Sequence, residues 1–143
     1  MDYKKYAKEL LCRKKNLVAA YSTINQELES LETEKNACKA GFADRSPGDA
    51  GDHAGRLMFV ISNIEDCRLR RGVVERELTM IERGMSGLTD YQKDLLECFF
   101  VERNSHSADL IMERYYKERS SVYRDRNRAL EEFTRSVYGV LQL

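Results

Sequence analysis

With 143 residues, 34% of them charged and 42% apolar, the chain suits one compact helical domain or a small domain with an extended helical element. Twenty-four basic residues balance twenty-four acidic ones, so the chain is not a generic polyanion binder, although a local basic face remains open to it. The single proline, Pro47, leaves long helices unobstructed, and no apolar run reaches the roughly 20 residues of a membrane span.

The charged start Met1-Asp-Tyr-Lys-Lys5 is unlike a signal peptide, and a cytoplasmic location is expected. From Tyr3 to Cys38, apolar residues recur in steps of three, four and seven: Tyr3, Ala7, Leu10, Leu17, Tyr21, Ile24, Leu28, Leu31 and Cys38. Lys14 and Lys35 interrupt this heptad-like seam, which requires a partner helix. The spacing predicts one helix roughly 50 Å long, capped by Asp2. Residues 39–55 hold four glycines and the proline and are expected to form a loop.

A second seam follows through Leu57, Val60 or Ile61, Ile64, Cys67, Val74, Leu78 and Ile81, predicting a helix over 56–84 with its exit at Gly84 and Gly87. Two such helices fold most simply as an antiparallel hairpin, closed within one chain or exchanged between two. Arg68, Arg70, Arg71 and Arg76 could track DNA phosphates but are expected to be solvated or paired with acids such as Glu65, Asp66 and Glu75, and Tyr3, Tyr6 and Tyr21 to pack in the hairpin. Cys12, Cys38, Cys67 and Cys98 are dispersed, and with His53 and His106 they make no close ligand pair. Reduced thiols, no metal and no cofactor are expected.

Residues 88–143 predict three shorter helices. Thr89 and Gln92 have the spacing of a capping box, followed by the apolar face Leu95, Leu96, Phe99 and Phe100. Asn104 to Ser107 predicts a turn, with Ser105 or Ser107 capping a helix over Ala108–Tyr116. After the link Lys117–Arg119, a longer helix is expected to start at Ser120 and Ser121, whose hydroxyls suit a helix start, and to end at Gly139. Val122, Ala129, Leu130, Phe133 and Val137 share one side of it, while Ser120, Arg124, Asn127, Arg128, Glu131 and Arg135 share the other. A short helix, a tight turn and a longer amphipathic helix have helix-turn-helix spacing, with Ile111, Tyr115, Val122 and Leu130 as its small core. Tyr116 and Lys117 stand where such turns usually carry a small residue and an apolar one.

The fold class expected is therefore all-α. Residues 1–84 form a coiled-coil-like antiparallel hairpin, and 88–143 form a three-helix helix-turn-helix unit. Arg124 and Arg128 suit guanine edges or phosphates, Arg119 and Arg135 suit phosphates, and Ser120, Ser121 and Asn127 add donors.

The segments Glu118-Arg-Ser-Ser-Val-Tyr-Arg124 and Arg128-Ala-Leu-Glu-Glu-Phe-Thr134, with the closing Tyr138-Gly139, resemble small phage and prophage regulators of the ArpU/RinA type. More distantly they are similar to the fourth region of bacterial sigma factors. The resemblance covers nearly the whole chain in layout and about the last third in specific motif. It implies a DNA-binding regulator of phage genes, late ones above all, in a bacterial host. Ser120, Ser121, Arg124 and Arg128 would then face double-stranded DNA while Val122 and Leu130 hold the helix.

Residues 1–84 offer a homodimer or partner contact, with host RNA polymerase as one partner. Two other classes stay open: a small terminase-like packaging component, and a protein-interaction hairpin that does not bind DNA. An enzyme is the least expected class, since no phosphate loop or nucleophile set is present.

Overall fold

A computed structural model describes residues 1–42 and 50–143, and its only regular elements are helices. They are α1 (Tyr3–Cys12), α2 (Lys14–Phe42), α3 (Ala50–Ser86), α4 (Asp90–Leu96), α5 (Ser107–Tyr115) and α6 (Arg119–Tyr138). A π-helical turn, Glu97–Val101, continues α4. The long N-terminal helix pair and the three shorter helices that follow match the fold class expected. The described chain forms two compact units, Ala19–Glu75 and Met1–Val18 with Arg76–Leu143. The division thus falls inside α2 and α3 and not near residue 84, because the first eighteen residues pack with the C-terminal helices.

Within Ala19–Glu75, Ile24 and Leu28 of α2 bury against Val60, Ile64 and Cys67 of α3, with Leu31 and Val74 at the margin. Arg71, Arg70 and Arg68 reach Asn25, Glu27 and Glu32 in turn, so the residue number falls on one helix as it rises on the other. The pair is antiparallel. These arginines are engaged by α2 and by Asp66 and Glu75 of their own helix, as the charge pattern suggests.

The loop expected over 39–55 is shorter than that span. α2 runs on to Phe42 and α3 has begun by Ala50, while 43–49, including Pro47, lie outside the described residues. Packing overrides the glycines here: His53 and Cys38 are both buried, and His53 Nε2 lies 2.5 Å from the Cys38 carbonyl oxygen.

The other unit is built on α6, which packs against α1, α4 and α5. The single helix expected over Tyr3–Cys38 is broken at Arg13, whose N–H is shared between the carbonyls of Glu9 and Leu10. The interruption is local, since the Leu17 N–H bonds the Arg13 carbonyl at 2.9 Å and the residues up to Val18 belong to the same unit. Leu11 and Val18 are one heptad apart, yet Leu11 is fully buried and Val18 is exposed. Arg13, Lys14 and Lys15 then pair with Glu77, Glu97 and Glu102. Tyr3, expected to pack in the hairpin, packs instead against Tyr138, with ring centres 5.4 Å apart and planes tilted by 43°.

The helix ends follow local chemistry in part. Asp2 accepts from the Lys5 N–H, Thr89 and Gln92 close a capping box, and Gly139 ends α6 at φ 65°. Ser120 and Ser121 do not cap α6: the helix starts one residue earlier, with Glu118 in the cap position and no side-chain cap bond. Nor does Ser107 cap α5. It is the first helical residue, and its hydroxyl lies 2.6 Å from the Cys98 carbonyl, within donating range of the π turn. Of the two glycines expected at the exit of α3, Gly84 lies inside the helix, which runs to Ser86, and Gly87 is the first residue beyond it.

Candidate nucleic-acid interface

α5 and α6 are joined by three residues, Tyr116, Lys117 and Glu118. Tyr116 ends α5 in the left-handed region at φ 55° and ψ 49°, which turns the chain without a glycine. Leu95, Ile111 and Val122 are fully buried between α4, α5 and α6, with Tyr91, Cys98, Phe99, Met112 and Tyr115 packed around them. This cluster holds the two helices at a set angle. Ile111, Tyr115 and Val122 take the core places expected of them, and Leu130 is buried farther along α6.

One face of α6 is internal: Val122, Ala129, Leu130, Phe133, Thr134 and Val137 are buried. Thr134, unassigned by apolar spacing, is admitted because its hydroxyl donates to the Leu130 carbonyl at 2.6 Å. The opposite stripe is exposed and carries Ser120, Tyr123, Arg124, Asn127 and Arg128, with Arg135 about two turns beyond. Arg119 is also exposed and pairs with Asp109 of α5 at 2.5 Å. Ser121 is half-buried beside Val122.

The acids of the same helix are each taken up by neighbouring elements. Asp125 accepts from the Tyr91 hydroxyl at 2.8 Å and lies 3.6 Å from Lys117. Glu131 accepts from Lys4 at 2.8 Å, and Glu132 from the Gln92 amide at 2.9 Å. Lys4 and Arg135 hold the Glu131 carboxyl below its ordinary range, the hydrogen bond from Lys4 contributing most. Burial, and then the bond to Asp125, push the Tyr91 hydroxyl well above its ordinary value, so it remains a neutral donor. The Asp125 side chain is 17% accessible and that of Arg124 is 68%, with Arg124 Nε 3.9 Å from the Asp125 carboxylate. Arg128 forms no salt bridge or hydrogen bond among the described residues.

Arg126, which spacing did not single out, is half-buried in an aromatic cluster. Its guanidinium lies 4.9 Å from the Tyr123 ring centre and 5.1 Å from that of Phe99, which in turn sits 5.7 Å from Tyr123. The same guanidinium donates to Asn127 Oδ1 at 2.9 Å, leaving the Asn127 amide nitrogen to the exposed side. The pair Phe99–Phe100 and the three-residue step from Tyr123 to Arg126 are the sequence signal for this cluster. Its effect is to orient Tyr123 and Asn127 on the outer stripe.

Chemically, the stripe offers guanidinium forks, an amide, a hydroxyl and an aromatic edge on a helix whose own acids are each paired with another side chain. Such a surface suits an anionic, hydrogen-bonding partner. No group of residues that could hold a metal ion occurs among the described residues. No protein-family model matches the chain, and no curated protein or solved structure is found similar to it.

Proposed function

We propose that the unit containing α4, α5 and α6 binds duplex DNA as a helix-turn-helix, with α6 as the reading helix. The observation that carries this reading is the sorting of charge on α6. Asp125, Glu131 and Glu132 are bonded to other helices or the preceding turn, while Arg124 and Arg128 stand exposed with Ser120 and Asn127. A solvated helix has no need of this asymmetry, whereas a helix in the major groove does, because any outward carboxylate would oppose the phosphates. Arg124 and Arg128 are the base or phosphate contacts, Arg119 and Arg135 flank them, and Ser120, Ser121 and Asn127 supply further polar contacts. The resemblance to ArpU/RinA-type proteins extends the proposal to transcriptional control of phage genes. On that reading the long helix pair serves a second copy of the chain or a partner such as RNA polymerase.

The test is selection of bound fragments from the source genome, followed by titration of one recovered duplex at low and near-physiological salt. Recovery at promoters is expected; recovery at a packaging locus would favour a terminase-like role. Arg124→Ala and Arg128→Ala should each weaken binding by roughly 1–3 kcal/mol where a base is read, and by less, with a flatter salt dependence, where a phosphate is held. A chain that retains no duplex even at low salt would overturn the proposal in favour of a protein-binding unit.

A further inference from the structure

Two non-glycine residues of the described chain have a left-handed backbone, Arg103 and Tyr116, one before and one after α5. An exposed arginine in such a place carries no hydration penalty for its side chain. Tyr116 differs: it is a large ring left 95% exposed, in a conformation that glycine adopts without strain. The other tyrosines around it are committed to the fold. Tyr91 and Tyr115 donate to Asp125 and Asp94, and Tyr123 packs against Phe99. The neighbouring cation is drawn back as well, since Lys117 lies 4.8 Å above the Tyr91 ring and 3.6 Å from Asp125. Tyr116 therefore projects from the turn that leads into α6, its hydroxyl without a partner among the described residues.

Resting on the reading of α6 as a DNA-reading helix, we infer that the Tyr116 hydroxyl donates a hydrogen bond to a backbone phosphate of the bound duplex. A neutral donor at the turn fixes the depth at which α6 enters the groove without adding charge. Phosphate contacts of this kind are independent of sequence, so a labelled mixed-sequence duplex is a sufficient probe.

The experiment compares the parent chain with Tyr116→Phe and Tyr116→Gly by fluorescence anisotropy across a range of salt, with thermal melting of each. Both variants should bind more weakly by roughly tenfold or more, the range for a hydrogen bond to a charged group. Their salt dependence should match that of the parent, because no cation is removed. Tyr116→Gly should melt at or above the parent temperature, which separates removal of the phosphate bond from damage to the fold. Binding by Tyr116→Phe equal to that of the parent would overturn the inference and leave the reading of α6 standing. A parent chain that fails to bind the duplex at all would overturn both.

Discussion

Gly84 shows how much a single position can depend on the tertiary structure. A Cβ built there would lie 2.4 Å from Phe133 Cε2 and 2.5 Å from Val137 Cγ2, so α3 and α6 meet with no room for a methyl group. Phe133 is fully buried and cannot swing aside. Gly84→Ala gains about 0.5–1 kcal/mol of helix propensity, but overpacking costs typically 1–3 kcal/mol. The expected result is a net loss in urea denaturation, and a variant as stable as the parent would show that the two helices can move apart. In sequence this glycine stood near a second one, Gly87, and suggested a helix exit. Its role as a packing notch depends on a partner nearly fifty residues away, which local chemistry cannot reveal. Leu11 makes the same point from the other side, being buried where the heptad phase puts Val18 in solvent.

Among the elements, α4 and α6 divide what local rules can and cannot say. The Thr89–Gln92 capping box and Gly139 were legible because both bonds and the left-handed cap are made within a few residues. The π turn Glu97–Val101 was not legible, since its extra residue is stabilised from outside. The Glu102 N–H bonds the Glu97 carbonyl at 2.8 Å, and the Ser107 hydroxyl lies 2.6 Å from the Cys98 carbonyl and 2.7 Å from that of Asn104. That hydroxyl has one proton for two acceptors and is itself buried. Ser107→Ala should lower stability by about 1–3 kcal/mol, the range for stripping a buried acceptor of its donor. An unchanged urea midpoint would mean that water or a backbone shift replaces the bond. On α6, the side that faces the core was readable from apolar spacing, and so were the arginines of the outer side. The pairing of its acids was not, because Lys4, Tyr91 and Gln92 come from distant stretches.

For the molecule as a whole, the compact unit that carries the candidate interface is discontinuous in sequence. Met1–Val18 and Arg76–Leu143 build it together, and Ala7, Leu10 and Leu11 of α1 are among its buried residues. A fragment of residues 88–143, the unit suggested by spacing, lacks α1 and the α3 segment around Ile81 and Gly84. It would leave part of the apolar side of α6 in water. Circular dichroism of that fragment should show weak helix content and no cooperative melt, in contrast to the full chain. A sharp melting transition in the fragment would show that α4, α5 and α6 fold without the N-terminal helix.

The sequence by itself determined what depends on period, caps and composition: an all-helical chain, two long seamed helices, and three shorter helices ending in one with an apolar back and arginines in front. These follow from contacts within a few residues, or from a repeat that fits only a helix. The tertiary structure alone decided that the first eighteen residues pack with the C-terminal helices. It also decided that Gly84 is a contact point, that the acids of α6 are paired with residues of other elements, and that Tyr116 is left projecting from a left-handed turn. Each of these is a balance between residues far apart in the chain, where burial and hydrogen bonding outweigh local preference.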